Sequence, residues 1–119
     1  MQPLLLCIGL EQNQLMRVTF IASALGIRVK AVRGEEEGQT VGALCGQDAP
    51  AAHPSKERVG GAMLVMAFFD GALMDQLLKE LRANGQTVRL KAVLTPHNRH
   101  WTCPELYRHL CMEAAQFER

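Results

Sequence analysis

A run long enough to cross a bilayer is the first thing this 119-residue chain lacks. Its two longest apolar stretches, Pro3 to Leu10 and Gly60 to Phe69, are roughly half of the ~20 residues a membrane helix needs, so a membrane is not an expected partner. An excess of one charge is missing too. With 13 Lys and Arg against 12 Asp and Glu, no overall field gathers nucleic acid or anionic lipid, and nucleic acid is not expected as a partner either. Regular cysteine spacing is missing as well: Cys7, Cys45, Cys103 and Cys111 are even in number but fall at irregular intervals, which argues for reduced thiols rather than a disulfide framework. The apolar start has no Lys or Arg ahead of it and runs into Glu11, Gln12, Asn13 and Gln14 without a small-residue cleavage site, so a cytoplasmic location is expected. The sequence also carries no phosphate loop, carboxylate dyad or nucleophile triad. A non-enzymatic role without a cofactor is the expectation that follows.

What the sequence does have is repetition. Leu4 to Leu10 (LLLCIGL) is apolar throughout and too short for a helix, as a strand covered on both faces would be. Leu15, Val18, Ala22 and Leu25 then recur at helical spacing up to Gly26, and Ile27 to Val32 (IRVKAV) alternates, with Arg28 and Lys30 on a wet face. The loop Gly34 to Gly38, with Glu35, Glu36 and Glu37, reads as solvated, and Thr40 caps a brief helix from Val41 to Cys45. Residues 47–61, broken by Pro50 and Pro54, read as a surface linker. Beyond it Ala62 to Phe69 (AMLVMAFF) is a second apolar strand. Asp70 caps a helix striped by Leu73, Met74, Leu77, Leu78 and Leu81 and ending at Gly85, and VRLKAVL follows. IRVKAV aligns with VRLKAV, Gly26 with Gly85 and Thr40 with Thr102. The expectation is one domain, 1–119, holding a duplicated β-α-β-α unit, residues 4–46 and 62–112.

Two folds fit this pattern. The apolar first strands belong at the sheet centre and the alternating ones at its edges. Strict alternation favours a three-layer α/β fold with a parallel four-stranded sheet of order 2-1-3-4. The alternative is a ferredoxin-like α+β sandwich of order 4-1-3-2, with both long helices on one face.

Val88 to Leu110 packs the most chemistry into the least chain. A strand, the polar loop TPHNRH and a helix with the capping box Thr102-x-x-Glu105 follow one another, and Trp101 and Leu106 stand at hydrophobic-staple positions around the cap. Thr95, His97, Asn98, Arg99 and His100 surround that helix start, which offers backbone donors to a small anion beyond the end of a strand. The plainer reading has Thr95 and Asn98 satisfying the turn and Arg99 solvated. Trp101, the one tryptophan, is either a core plug or an interface anchor. Cys103 at the first helical position is either a core residue or a thiolate favoured by the helix dipole. His97, His100, Cys103, His109 and Cys111 are metal-ligand types, but without paired C-x-x-C or H-x-x-x-H units no metal is expected.

Leu90 to Leu94, Thr95, Pro96, Asn98, Trp101, Thr102, Glu105 and Leu106 together resemble the bacterial and archaeal family called domain of unknown function 3783. The resemblance is close over the second half and loose over the first. Cys103 and Pro104 depart from the family pattern. The resemblance implies a small protein of unassigned activity and brings no catalytic residue. The expected function is therefore a protein-interaction or regulatory module that binds an unknown protein partner or itself. The alternative is a small anion or nucleotide site using Thr95, His97, Asn98, Arg99, His100, Trp101 and Thr102.

Overall fold

The computed structural model describes residues 1–117. Glu118 and Arg119, the end of the expected 1–119 domain, lie outside the described residues. Four strands, β1 (Leu4–Ile8), β2 (Arg28–Val32), β3 (Met63–Ala67) and β4 (Leu90–Val93), form one sheet in the order β2-β1-β3-β4. Four α-helices cover it: α1 (Gln12–Ala24), α2 (Val41–Leu44), α3 (Gly71–Ala83) and α4 (Cys103–Phe117). The acidic loop Gly34–Gly38 and the segment Asn98–His100 close into 3-10 turns. Every residue of the central strands β1 and β3 is buried, as continuous apolar runs with both faces covered must be.

The sheet has the expected order and is mostly, but not purely, parallel. β1 pairs with β2 and β3 with β4 in parallel, whereas β1 and β3 are antiparallel, with Leu6 opposite Val65 at the centre and Leu4 opposite Ala67 at one end. The reason lies in the crossovers. Right-handed β-α-β connections running outward in opposite directions place their helices on opposite faces when all strands are parallel. Here α1 and α3 share one face: Val18 and Ala22 pack with Leu77 and Leu81 over Leu5, Cys7, Leu64 and Met66. Reversing one unit relative to the other lets both connections keep their hand. The second face carries α2 and α4, whose Val41, Cys103 and Leu106 pack on Leu4, Leu6, Ile8, Val65 and Leu90.

The edge strands differ by one residue of facing. Aligning IRVKAV with VRLKAV matches Val29 to Leu90, yet Val29 packs with the α1/α3 layer and Leu90 with the α2/α4 layer. Leu4 pairs with Arg28 and Met63 with Leu90, so Arg28 stands where Leu90 stands in the other half. A longer connection, Gln86 to Arg89 against Ile27 alone, separates the helix-ending glycine from β4. A shift of one residue turns a strand's pattern over, which is why the resemblance of the two strings does not carry into the packing.

The expected linker, residues 47–61, has no regular structure but is tied down along its length. Gln39 exchanges hydrogen bonds with the Ala51 backbone at 2.8 and 3.1 Å, Ser55 N donates to Gly38 O at 3.1 Å, and Val59 N donates to a Glu37 carboxylate oxygen at 2.7 Å. Glu36 pairs with Lys30 at 2.8 Å while both stay partly exposed, so two of the three acids expected to be solvated have partners within the chain.

Candidate functional site

The loop between β4 and α4 satisfies its own polar groups. Thr95 N donates to Asn98 Oδ1 at 2.9 Å, Asn98 N returns a bond to Thr95 Oγ1 at 3.0 Å, and Asn98 Nδ2 donates to the Val93 carbonyl at 2.9 Å. These bonds fold the chain into the turn that delivers Trp101, whose backbone N–H donates to Asn98 O at 3.0 Å. Thr95 and Asn98 therefore serve the turn. Thr102 then starts α4: its hydroxyl donates to Glu105 Oε1 at 3.0 Å, and the Thr102 and Glu105 N–H groups complete the reciprocal box at 3.4 Å. The Glu105 carboxylate thus already occupies the helix start where an external anion would bind.

Arg99 is not the solvated arginine expected from the sequence. Its guanidinium pairs with Asp48 of the linker at 3.2 Å, the side chains being 37% and 24% exposed. Gly42 makes this possible, because its carbonyl accepts from Gln47 N and Asp48 N and a Cβ there would run into Asp48 Oδ2. Arg99 Nε and Asp48 Oδ2 are buried without a hydrogen-bond partner. The pair is therefore partly desolvated, and Arg99 is a clasp between linker and loop.

The display lies around Trp101. Val41 N donates to its carbonyl at 2.8 Å, and Thr40 bridges Thr102 beside it, so the two helix caps fix the Trp101 backbone from both sides. Its ring, half-buried, packs one side on the α2/α4 core with Leu106 as the staple predicts, and the rest is framed by imidazoles. His109 stacks on the indole with centroids 4.0 Å apart and planes 11° apart, and His97 meets it edge-on at 5.1 Å and 74°. His97, His100 and His109 are exposed, and Met112 lies one turn beyond His109 at 64% exposure. Trp101 is thus neither a full core plug nor a free side chain. Sequence reasoning missed His109 and Met112 as members of this face, although Glu105, His109 and Met112 recur at helical spacing.

Cys103 points into the core. It is fully buried, and burial first, then the nearby Glu37, Cys45 and Glu36, pushes its thiol up to about 12. Desolvation outweighs the helix dipole, and the residue packs as a small hydrophobe. Among the described residues no three His, Cys, Asp or Glu come together so as to hold a metal ion. His97 and His109 lie on Trp101 while Cys103 faces inward.

Beyond the ends of β3 and β4 a cleft of about 260 Å³ is bounded by Phe68, Phe69, Leu94, Thr95 and Arg99. Phe68 adopts φ 66°, a left-handed conformation that the turn after β1 gives to Gly9 at φ 72°. Its ring packs against the α2/α4 core, which offsets a backbone cost of roughly 1–2 kcal/mol. The cleft is smaller than the ~300 Å³ at which ligand pockets begin, and its arginine is already paired.

Residues 62–117 match the model of a family described as a domain of unknown function, DUF3783. The DUF3783 segment runs from β3 through α4 and so contains Phe68, the Thr95–Thr102 loop, Trp101 and His109; Asp48 lies outside it. Comparisons with curated proteins and with solved structures find no match. Among the described residues no helix is long and apolar enough to cross a membrane.

Proposed function

We propose that this protein is a non-enzymatic cytoplasmic module that binds a partner protein through the face around Trp101. The observation that carries the reading is the His97–Trp101–His109 stack. A large ring stands half-buried at the surface, its backbone held between two helix caps and its faces met by two imidazoles. Rigid, half-buried aromatics flanked by a flexible Met such as Met112 are typical anchors of protein interfaces, because little side-chain entropy remains to be lost on binding. The alternative of a small anion at Thr95 to Thr102 is less well supported, since Glu105 and Asp48 already answer the helix start and Arg99. We also read residues 4–46 and 62–112 as two copies of one unit. In support, α1 and α3 are each 13 residues long, both central strands are followed by a left-handed turn, and the β1–β3 register is centred on the middle residue of each strand.

The test is affinity capture with the parent chain and with Trp101→Ala as baits, each first shown to be folded by circular dichroism. A protein retained by the parent at stoichiometric level and lost with Trp101→Ala is the expected result. Equal retention by both baits would remove the Trp101 face from the reading, and no retained protein would remove the module itself.

A further inference from the structure

The two edges of the sheet are finished differently. Arg28 N donates to Pro3 O at 3.0 Å, so alternation turns the backbone of Arg28, Lys30 and Val32 toward β1 and that of Val29 and Ala31 outward. Among the described residues no group bonds to the outward N–H and C=O of Val29 and Ala31, and both residues are only half-buried. On β4, at the other edge, Lys91 folds back and its ammonium donates to the Val88 carbonyl at 2.6 Å. Beside the open edge a groove of about 410 Å³ lies between β2 and α2, floored by Leu4, Leu44 and Cys45 and rimmed by Arg28 and Lys30. Arg28 is exposed and has no ion-pair partner among the described residues. Lys30 already holds one carboxylate, that of Glu36, at 2.8 Å, in a pair that stays partly exposed.

We infer that β2 is a docking edge for an extended, acidic segment of a partner protein, which joins the four-stranded sheet as a further strand and sets a carboxylate against Arg28. Strand addition needs a row of unanswered backbone groups for affinity and side-chain sites on alternate residues for the choice of partner. The N–H and C=O groups of Val29 and Ala31 supply the first. Arg28 and Lys30, on the same face and roughly 7 Å apart along the strand, supply the second, and Glu36 shows which chemistry they accept. The partner pattern is therefore a carboxylate at every second residue, with apolar side chains between them lying along Val29 and Ala31. A second copy of this chain is the wrong occupant. β2 paired antiparallel with itself would set Arg28 and Lys30 against their own copies across the join, and like charges opposite one another disfavour pairing. The same two cations that guard the edge against self-pairing select an acidic strand. Exposed charge contacts and a few backbone hydrogen bonds make the docking weak and sensitive to salt. No residue of the Trp101 face takes part, so the inference stands or falls separately from the reading above.

Titration of the isotope-labelled full chain with a short capped peptide of alternating Glu and Val, followed by amide NMR, tests it. The largest shifts are expected at the Val29 and Ala31 amides, with binding weakening as salt rises. Arg28→Glu is expected to weaken binding roughly tenfold or more while leaving the circular dichroism spectrum unchanged, and Lys79→Glu, the same charge reversal at an exposed position of α3, to behave as the parent. A peptide of alternating Lys and Val is expected not to bind. No binding of the Glu peptide, largest shifts away from β2, an Arg28→Glu variant that binds as tightly as the parent, an equal loss in Lys79→Glu, or equal binding of the Lys peptide would each overturn the inference.

Discussion

Replacing Arg99 by Glu is the sharpest test of whether the loop before α4 is a receptor for anions or part of the scaffold. A solvated arginine could be reversed with little effect on stability, but this one pairs with Asp48 at 3.2 Å with both side chains largely covered. Losing a partly buried, charge-assisted contact costs about 1 kcal/mol. The new carboxylate would face Asp48, and two such charges roughly 4 Å apart repel by about 4 kcal/mol at an effective dielectric near 20. Because a third of the Arg99 side chain is already exposed, the substituted Glu can swing outward, and we discount the repulsion to about 2 kcal/mol. The expected total of about 3 kcal/mol corresponds to a fall of roughly 12 °C in melting temperature for a chain of this length. Arg99→Gln, which removes charge without reversing it, should cost about a third of that. Combining Arg99→Glu with Asp48→Arg should recover at least half of the loss, since the pair is restored in the opposite sense. Thermal melts followed by circular dichroism decide the matter: a melting temperature for Arg99→Glu within about 1 °C of the parent would show that the clasp contributes nothing and that Arg99 is free to bind a ligand.

Gly9→Ala should destabilise by about 3 kcal/mol, because φ is 72° there and a Cβ would run into the Gly61 carbonyl; a urea melt showing less than about 1 kcal/mol would contradict that close approach. Native-state alkylation followed by mass spectrometry should modify Cys111 first, with Cys7, Cys45 and Cys103 reacting only on unfolding, and rapid labelling of Cys103 would refute its burial. Burial holds the Cys7 and Cys103 thiols up to about 12, so the folded state keeps protons that the unfolded chain releases near 9. Stability should therefore fall as pH rises from about 9 toward 12, and a flat urea midpoint over that window would be inconsistent with buried thiols. For Glu36 the sign is opposite: the Lys30 hydrogen bond, aided by the Arg33 N–H and the Lys30 charge, lowers its carboxyl, so its contribution is present above the ordinary carboxylate range and is lost as pH falls. As the pair is exposed, Glu36→Gln should cost only about 0.5 kcal/mol at neutral pH and nothing in acid, measurable as a difference in urea midpoint that vanishes on acidification.

Much of the fold was legible because it is written in short-range patterns. Continuous apolar strings can only be doubly covered strands, and these are β1 and β3 at the centre of the sheet. Caps are equally local: Asp70 accepts from Leu73 N at 2.8 Å, Thr40 from Ala43 N at 3.2 Å, and the Thr102–Glu105 box closes as its spacing requires. Which strands were amphipathic placed β1 and β3 at the centre and β2 and β4 at the edges, and the strict alternation of strand and helix favoured the order 2-1-3-4 over 4-1-3-2.

The sequence by itself determined the four strands and the long helices, the capped helix starts, the burial of the central strands and the position of Trp101 at a capped helix start, because each depends on residues within a turn or two of one another. Only the tertiary structure decided the antiparallel meeting of β1 and β3, since strand direction depends on which face the crossover helices share. It also decided that Leu90 and Val29 face opposite layers, because the longer connection before β4 offsets the pairing rather than the composition. The partners of the loop were decided the same way. Asp48 is far from Arg99 in sequence, and His109 reaches Trp101 only once α4 is wound against its own cap, so the clasp and the aromatic stack exist through contacts between segments that carry no trace of one another in their local sequence.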